Sequence, residues 1–185
     1  GFGGNPEVPD GILKQANEPL HAAISLEGEP TLYPRLGELV EAFYDHDFKS
    51  VFIVTNGLDP KALSKLSTEP TQLYISVSAP DEETYRRTCR PLIPDGWNRL
   101  NESLELLRSF SCPTVLRHTL VPNLNMHNPR GYAKLAETSK ATYVEPKAAM
   151  SVGYARKRFS YEEMAWHKDI RDFAEEISAE SGYTI

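Results

Sequence analysis

His21-Ala22-Ala23-Ile24-Ser25-Leu26-Glu27-Gly28-Glu29-Pro30-Thr31-Leu32-Tyr33-Pro34 is the stretch that decides how this chain folds. An apolar run, His21 to Leu26, leads into two carboxylates separated by Gly28, and Pro30 closes the turn ahead of a predicted helix. A strand that ends in a polar turn and hands over to a helix is the repeating half of a parallel α/β unit. Glycine lets the main chain approach a ligand, and proline fixes the turn while leaving nearby carbonyls free. Carbonyls and carboxylates at the carboxyl end of a parallel strand can hold an ammonium group, and ligands of α/β sheets bind at that end. Taken alone, the same four residues, Glu27 to Pro30, also fit a solvated acidic turn.

Working outward, the pattern repeats. Apolar, β-branched runs recur at Ser50 to Thr55, Gln72 to Ser78, Thr114 to Val121 and Thr142 to Met150. They are near-continuous rather than alternating, as parallel strands covered on both faces require. Between them the spacing predicts helices over Tyr33 to His46, Asp59 to Leu66, Asp81 to Arg87, Asp95 to Phe110 and Pro129 to Ser139. Asp81 and Asp95 read as N-caps, and Ser160 with Glu163 has the capping-box spacing for a last helix running to about Ala179. No Gly-x-Gly-x-x-Gly follows the first strand, which disfavours a dinucleotide-binding sheet. The expectation is an α/β fold, a full or partial (β/α) TIM-type barrel of parallel strands with outer helices over residues 21–185. Residues 1–20, dense in Gly and Pro, are expected to form an irregular entry segment.

The 185 residues suffice for one domain with a real core. A net charge of −6 argues against a uniformly basic nucleic-acid binder while leaving room for local basic patches. No apolar run approaches a membrane span and no signal peptide is visible, so no membrane partner is expected. Two cysteines, Cys89 and Cys112, give neither a disulfide framework nor metal-ligand spacing. Both are expected to be buried or half-buried, no metal ligand is assigned, and a cytoplasmic, monomeric protein is expected.

In a barrel the chemistry lies at the carboxyl ends of the strands. Those ends read Glu27, Gly28, Glu29 and Pro30, then Asn56, then Ser76 and Ser78, then Arg117 and Thr119, then Glu145 and Lys147. Each alone fits a turn or cap, but five polar strand ends together mark a ligand site. Lys147 interrupts an apolar strand, so it reads either as a nucleophile or phosphate contact in the barrel mouth, or as the ion-pair partner of Glu145. Arg117 reads as a carboxylate or phosphate fork, or as a partner of Glu27 or Glu29. The Arg86-Arg87 and Arg90 cluster and Arg156-Lys157-Arg158 are phosphate contacts or solvated faces.

Several segments then resemble one family. These are Gly1 to Pro6, Ile24 to Pro34, Val54 to Gly57, Pro70 to Pro80, Arg90 to Trp97, Thr119 to Val121 and Val144 to Lys147. Over essentially its whole length the chain resembles the wyosine-forming radical S-adenosylmethionine (SAM) enzymes, the tRNA 4-demethylwyosine synthases. The resemblance implies the radical SAM kind of partial barrel. It also implies a [4Fe–4S] cluster that cleaves SAM to a 5′-deoxyadenosyl radical, with pyruvate condensed onto N1-methylguanosine at position 37 of tRNA-Phe. On that pattern Glu27, Gly28, Glu29 and Pro30 hold the methionine amino group. Ser76 and Ser78 lie near ribose and methionine carboxylate, and Asn56, Arg117 and Thr119 are further candidates for the same pocket. Lys147, the candidate catalytic residue, contacts pyruvate or tRNA phosphate and is not assigned as an imine-forming lysine. The cluster motif Cys-x-x-x-Cys-x-x-Cys is absent, so an internal piece of such an enzyme is expected, with the cluster ligands outside this chain. Two other readings stand: a cofactor-free keto-acid lyase with a Schiff-base lysine, and a noncatalytic tRNA-binding barrel.

Overall fold

The computed structural model describes residues 4–185, so the Gly1 to Gly3 part of the resemblance lies outside the described residues. Five strands form one sheet in the order β1-β2-β3-β4-β5, every neighbouring pair parallel. They are β1 (His21–Ile24), β2 (Ser50–Thr55), β3 (Gln72–Ser76), β4 (Thr114–Leu120) and β5 (Tyr143–Ala148). The helices are α1 (Asp10–Asn17), α2 (Leu36–Asp45), α3 (Pro60–Ser64), α4 (Glu82–Cys89), α5 (Gly96–Leu106), α6 (Pro129–Ser139) and α7 (His167–Ser181). The parallel sheet with its flanking helices is the α/β arrangement that the strand pattern predicts.

One face of the sheet carries the core. Val51, Ile53, Leu73, Ile75 and Leu116 pack against Leu36 and Val40 of α2, Leu63 of α3 and Leu100 and Leu104 of α5. Leu120 packs with Tyr132 and Ala133 of α6 and Ile170, Phe173 and Ile177 of α7. Each fully buried aliphatic side chain contributes about 1.5–3 kcal/mol. Because strand side chains alternate, the intervening residues Tyr74, Ser76, Arg117, Thr119, Glu145 and Lys147 lie on the opposite face. No helix among the described residues is long and apolar enough to cross a membrane.

Caps set several of the boundaries. The carboxylates of Asp59 and Asp81 accept from Ala62 N (2.9 Å) and Thr84 N (2.8 Å), and Asn128 accepts from Gly131 N (3.1 Å). Asp95 does not cap α5, because its carboxylate pairs with Arg99 at 2.8 Å. The last helix also begins later than expected. Ser160 N does donate to Glu163, but this closes only a local turn; the helix starts at His167, where Trp166 N donates to Asp169. The entry segment is not wholly irregular, since Asp10–Asn17 is helical: after Pro9 it carries the helix formers Leu13, Lys14, Gln15 and Ala16 without a further proline.

Gly57, just beyond β2, has φ of +72°, and a Cβ there would lie 2.9 Å from Ile75 Cγ2 and 3.1 Å from Leu100 Cδ1. Backbone strain and overpacking therefore act together in Gly57→Ala, which is expected to cost about 2–4 kcal/mol. The shift of the denaturant midpoint measures it.

His118 on β4 is fully buried, donates from Nδ1 to Val77 O (2.7 Å) and lies 4.5 Å from the Tyr132 ring. Burial lowers its pKa to about 4, against a partial opposing effect of the Val77 bond. The folded state therefore holds the neutral ring and resists protonation. This stability is present above the ordinary histidine range and is lost as pH falls from about 6.5 towards 4, by roughly 3 kcal/mol at the limit. Chemical unfolding at pH 7 and 4.5 is expected to show this slope, flattened in His118→Phe.

Candidate functional site

The register brings the polar strand ends into rows. Ser76 on β3 is level with Arg117 on β4, and Arg117 with Glu145 on β5. Thr119 is level with Lys147. Ser78 follows two residues after Ser76, on the same side of the chain. The hydroxyls of Ser76 and Ser78 form no hydrogen bond within the described residues. Of the candidate residues, Asn56, Ser76, Ser78 and Glu29 line one cavity of about 620 Å³, together with Tyr85 and Arg90. Ser78, Thr119 and Lys147 line a second of about 480 Å³, with Thr88, Arg158 and Met150. The two cavities meet at Ser78 and Cys89.

Glu29 is an anchor within the protein. Its Oε1 accepts from Thr31 N (3.1 Å), Thr31 Oγ1 (2.8 Å) and Thr55 Oγ1, and its Oε2 accepts from Asn56 N (2.8 Å). The carboxylate thus ties the turn after β1 to the end of β2, leaving the turn's backbone as the part free to meet a ligand. Glu27 is exposed. Leu26 has φ of 80° and is 98% exposed, and Gly28 has φ of 76° with open space where a Cβ would stand. A bulky residue held in the left-handed region is strained, and such strain collects at ligand sites. The Asn56 side chain is partly committed, since its Oδ1 accepts from Leu58 N at 2.9 Å.

Arg117 does not reach Glu27 or Glu29. Its Nε (3.1 Å) and Nη2 (3.0 Å) both donate to Glu145 Oε2, and the guanidinium lies 4.4 Å from the Tyr74 ring centre. The strand register, which sets the two side by side, decides this pairing over the alternatives. Glu145 is occupied by Arg117, and Lys147 makes no ion pair among the described residues.

The basic clusters are largely committed too. Arg86 pairs with Glu82 at 2.6 Å, Arg87 donates to Leu124 O at 2.7 Å, and Arg156 donates to Ser151 O at 3.3 Å. Asn125, fully buried, joins the ends of β3 and β4: its amide donates to Ser78 O (2.8 Å) and Thr119 O (2.9 Å), and its Oδ1 accepts from Val121 N (2.7 Å). Thr88 carried no sequence signal, yet it lines the smaller cavity and its hydroxyl, on a residue only 9% exposed, has no partner.

The family model described as the radical SAM superfamily matches residues 5–136. The chain belongs to the radical SAM superfamily. A second model, wyosine base formation, matches residues 138–185. The S-adenosyl-L-methionine-dependent tRNA 4-demethylwyosine synthase of Pyrococcus abyssi is 50% identical over 180 residues, covering 96% of this chain and 52% of that protein. The Methanocaldococcus jannaschii protein of the same name is 38% identical over 173 residues, covering 94% and 54%. The chain thus spans about half the length of these curated relatives. A solved structure of TYW1 with a lysine–pyruvate adduct bound matches with a TM-score of 0.86 at 36% identity, over 96% of this chain and 56% of that one.

Radical SAM proteins use SAM and a [4Fe–4S] cluster. The SAM side fits: the hydroxyls of Ser76 and Ser78, unbonded among the described residues, line the same cavity as Glu29 and Asn56. The cluster side does not. Among the described residues no three His, Cys, Asp or Glu side chains are grouped to hold a metal. Cys89 is exposed at the cavity edge rather than buried as expected, and Cys112 is half-buried. Loss of solvation pushes the half-buried Cys112 thiol up to about 11, so it is not a thiolate at neutral pH.

Proposed function

We propose that this chain is the core of a tRNA 4-demethylwyosine synthase, with Lys147 as the amine that carries pyruvate. The observation that carries the reading is the placement of Lys147. It is the one lysine lining either strand-end cavity, it has no ion pair among the described residues, and it lies in the segment matched by the wyosine model. The solved TYW1 structure with its lysine–pyruvate adduct supports the same chemistry.

The roles follow from the two cavities. The backbone of the Glu27 to Pro30 turn would hold the methionine amino group, with Glu29 fixing that turn. Ser76, Ser78 and Asn56 would hydrogen-bond the remaining polar groups of SAM, and Thr119 lies between that pocket and Lys147. Arg117 keeps Glu145 engaged and so leaves Lys147 unpaired. SAM held there would supply a 5′-deoxyadenosyl radical once an electron from a cluster held outside this chain cleaves it. Lys147 Nζ attacks the C2 carbonyl of pyruvate, a C–N bond forms, and loss of water gives the imine. The imine holds the three-carbon acid beside the position where the methyl group of N1-methylguanosine-37 of tRNA-Phe must enter.

The test uses the full-length, cluster-loaded protein with SAM, reductant and tRNA-Phe bearing N1-methylguanosine. Pyruvate labelled at C2 and C3 is expected to place both heavy carbons in the modified nucleoside, read by mass spectrometry. A pyruvate adduct that turns over without consuming SAM would instead identify a cofactor-free lyase.

A further inference from the structure

We propose that Asn125 is a positioning residue, whose side chain spans the gap where β3 and β4 part and so fixes the larger cavity relative to the smaller one. The proposal rests on the assignment of those cavities to SAM and to Lys147 given above, and adds what holds the two in register.

The strands set the problem. β3 and β4 are paired as far as Ser76 and Arg117, and among the described residues their last backbone bond runs from Val77 N to Arg117 O at 2.9 Å. Beyond it β3 has ended, while β4 continues beside β5 to Leu120, opposite Ala148, and Leu120 O accepts from Ala149 N at 2.9 Å. Ser78 and Thr119 therefore lie past the end of the ladder between their strands, and backbone pairing does not fix their separation.

Two side chains take over from the ladder. His118 reaches Val77 O, and Asn125 reaches one residue further, donating to Ser78 O (2.8 Å) and Thr119 O (2.9 Å) from the same amide nitrogen. One carboxamide bonded to both tips sets their spacing. Its own orientation is fixed as well, because Oδ1 accepts from Val121 N (2.7 Å) and the Asn125 carbonyl accepts from the Tyr132 hydroxyl on α6 (2.9 Å). Two carbonyls and one N–H match the two donors and the acceptor of a carboxamide. Aspartate there would set lone pairs against both carbonyls, and leucine would leave all three groups unpaired. Asn125 is fully buried and has given both donors to the strand tips, so it acts through the residues it holds rather than on a ligand.

The held residues belong to the two cavities. Ser78 lines both, and Thr119 lines the smaller one and is level with Lys147 in the strand register. The bridge thus sets where the serine side of the SAM pocket lies relative to the lysine. Reacting groups held in separate pockets lose on the order of a hundredfold in rate for a misplacement of about 1 Å.

The test uses the full-length, cluster-loaded protein carrying Asn125→Ala or Asn125→Ser. The serine variant keeps one hydroxyl donor and decides the matter where the alanine protein does not fold. In both, SAM affinity by calorimetry and the yield of borohydride-trapped pyruvate adduct are expected to stay within about threefold of the unsubstituted protein, because each cavity keeps its own lining. The ratio of 5′-deoxyadenosine released to modified nucleoside formed is expected to rise about tenfold or more in Asn125→Ala, and by less in Asn125→Ser. Tyr132→Phe removes the bond to the Asn125 carbonyl and leaves the bridge between the tips in place, so it is expected to lower stability with the ratio unchanged. A ratio unchanged in the Asn125 variants overturns the proposal, whether or not SAM affinity falls. An equal rise in Tyr132→Phe also overturns it, since loosening of the loop would then account for the effect. A raised ratio confined to the Asn125 variants, with no adduct at Lys147 in the unsubstituted protein, upholds the bridge and removes the Lys147 reading instead.

Discussion

In the Lys147→Gln variant of the full-length enzyme, pyruvate and borohydride leave no mass increment on the peptide containing this position, and turnover falls by roughly a thousandfold or more. Glutamine cannot form the imine, and no other lysine lines either strand-end cavity to replace it. Lys147→Arg separates charge from nucleophilicity. The guanidinium stays protonated and cannot condense with a ketone, so it is expected to keep the positive charge while losing the adduct. A reduced pyruvate adduct that persists in Lys147→Gln, mapped to a different lysine, would displace Lys147 from its role.

Glu29→Ala has the second largest expected effect. One carboxylate accepts from Thr31 N, Thr31 Oγ1, Thr55 Oγ1 and Asn56 N, and its removal strands these donors at the junction of β1 and β2. Loss of charge-assisted bonds to partly buried donors is expected to cost about 2–4 kcal/mol. SAM affinity is expected to fall about tenfold or more, because the strained turn from Leu26 to Gly28 loses its tie to the next strand. Glu29→Gln keeps one acceptor oxygen but turns an amide N–H₂ towards donors, so it is expected to recover only part of either loss. Denaturant unfolding and SAM titration read the two effects separately. A Glu29→Ala protein of native stability and affinity would refute the anchoring role.

The fold was legible because each strand is a bounded apolar run whose neighbours carry turn residues. Ser50 to Thr55 needs no tertiary information to be read as a strand. Pro129 to Ser139 likewise announces its own start, with Asn128 before the proline. The late start of the last helix was not legible, since Ser160 and Glu163 do form their local bond and only the packing of Ile170 and Phe173 shows where the helix docks. In the site, the strand ends followed from period-two alternation, which placed Ser76, Arg117, Thr119 and Lys147 on one face. Their partners did not follow. A sequence does not distinguish a carboxylate that meets a ligand from one that meets the backbone of the next strand, so the anchoring role of Glu29 emerged only from the structure. Thr88 was invisible for another reason. It falls just past the helix read over Asp81 to Arg87 and carries no motif, and only the return of Arg158, 70 positions later, sets a cation on its carbonyl.

The smaller cavity straddles the boundary between two stretches of sequence. Ser78, Thr88 and Thr119 fall in the part shared with the whole superfamily, and Lys147 and Arg158 in the part matched only by the wyosine model. Such a division would let a lineage retain the tips proposed to hold a common cofactor while exchanging a single C-terminal stretch to admit a different co-substrate. New chemistry can then arise by grafting one wall of a pocket, without rebuilding the scaffold that supports the other.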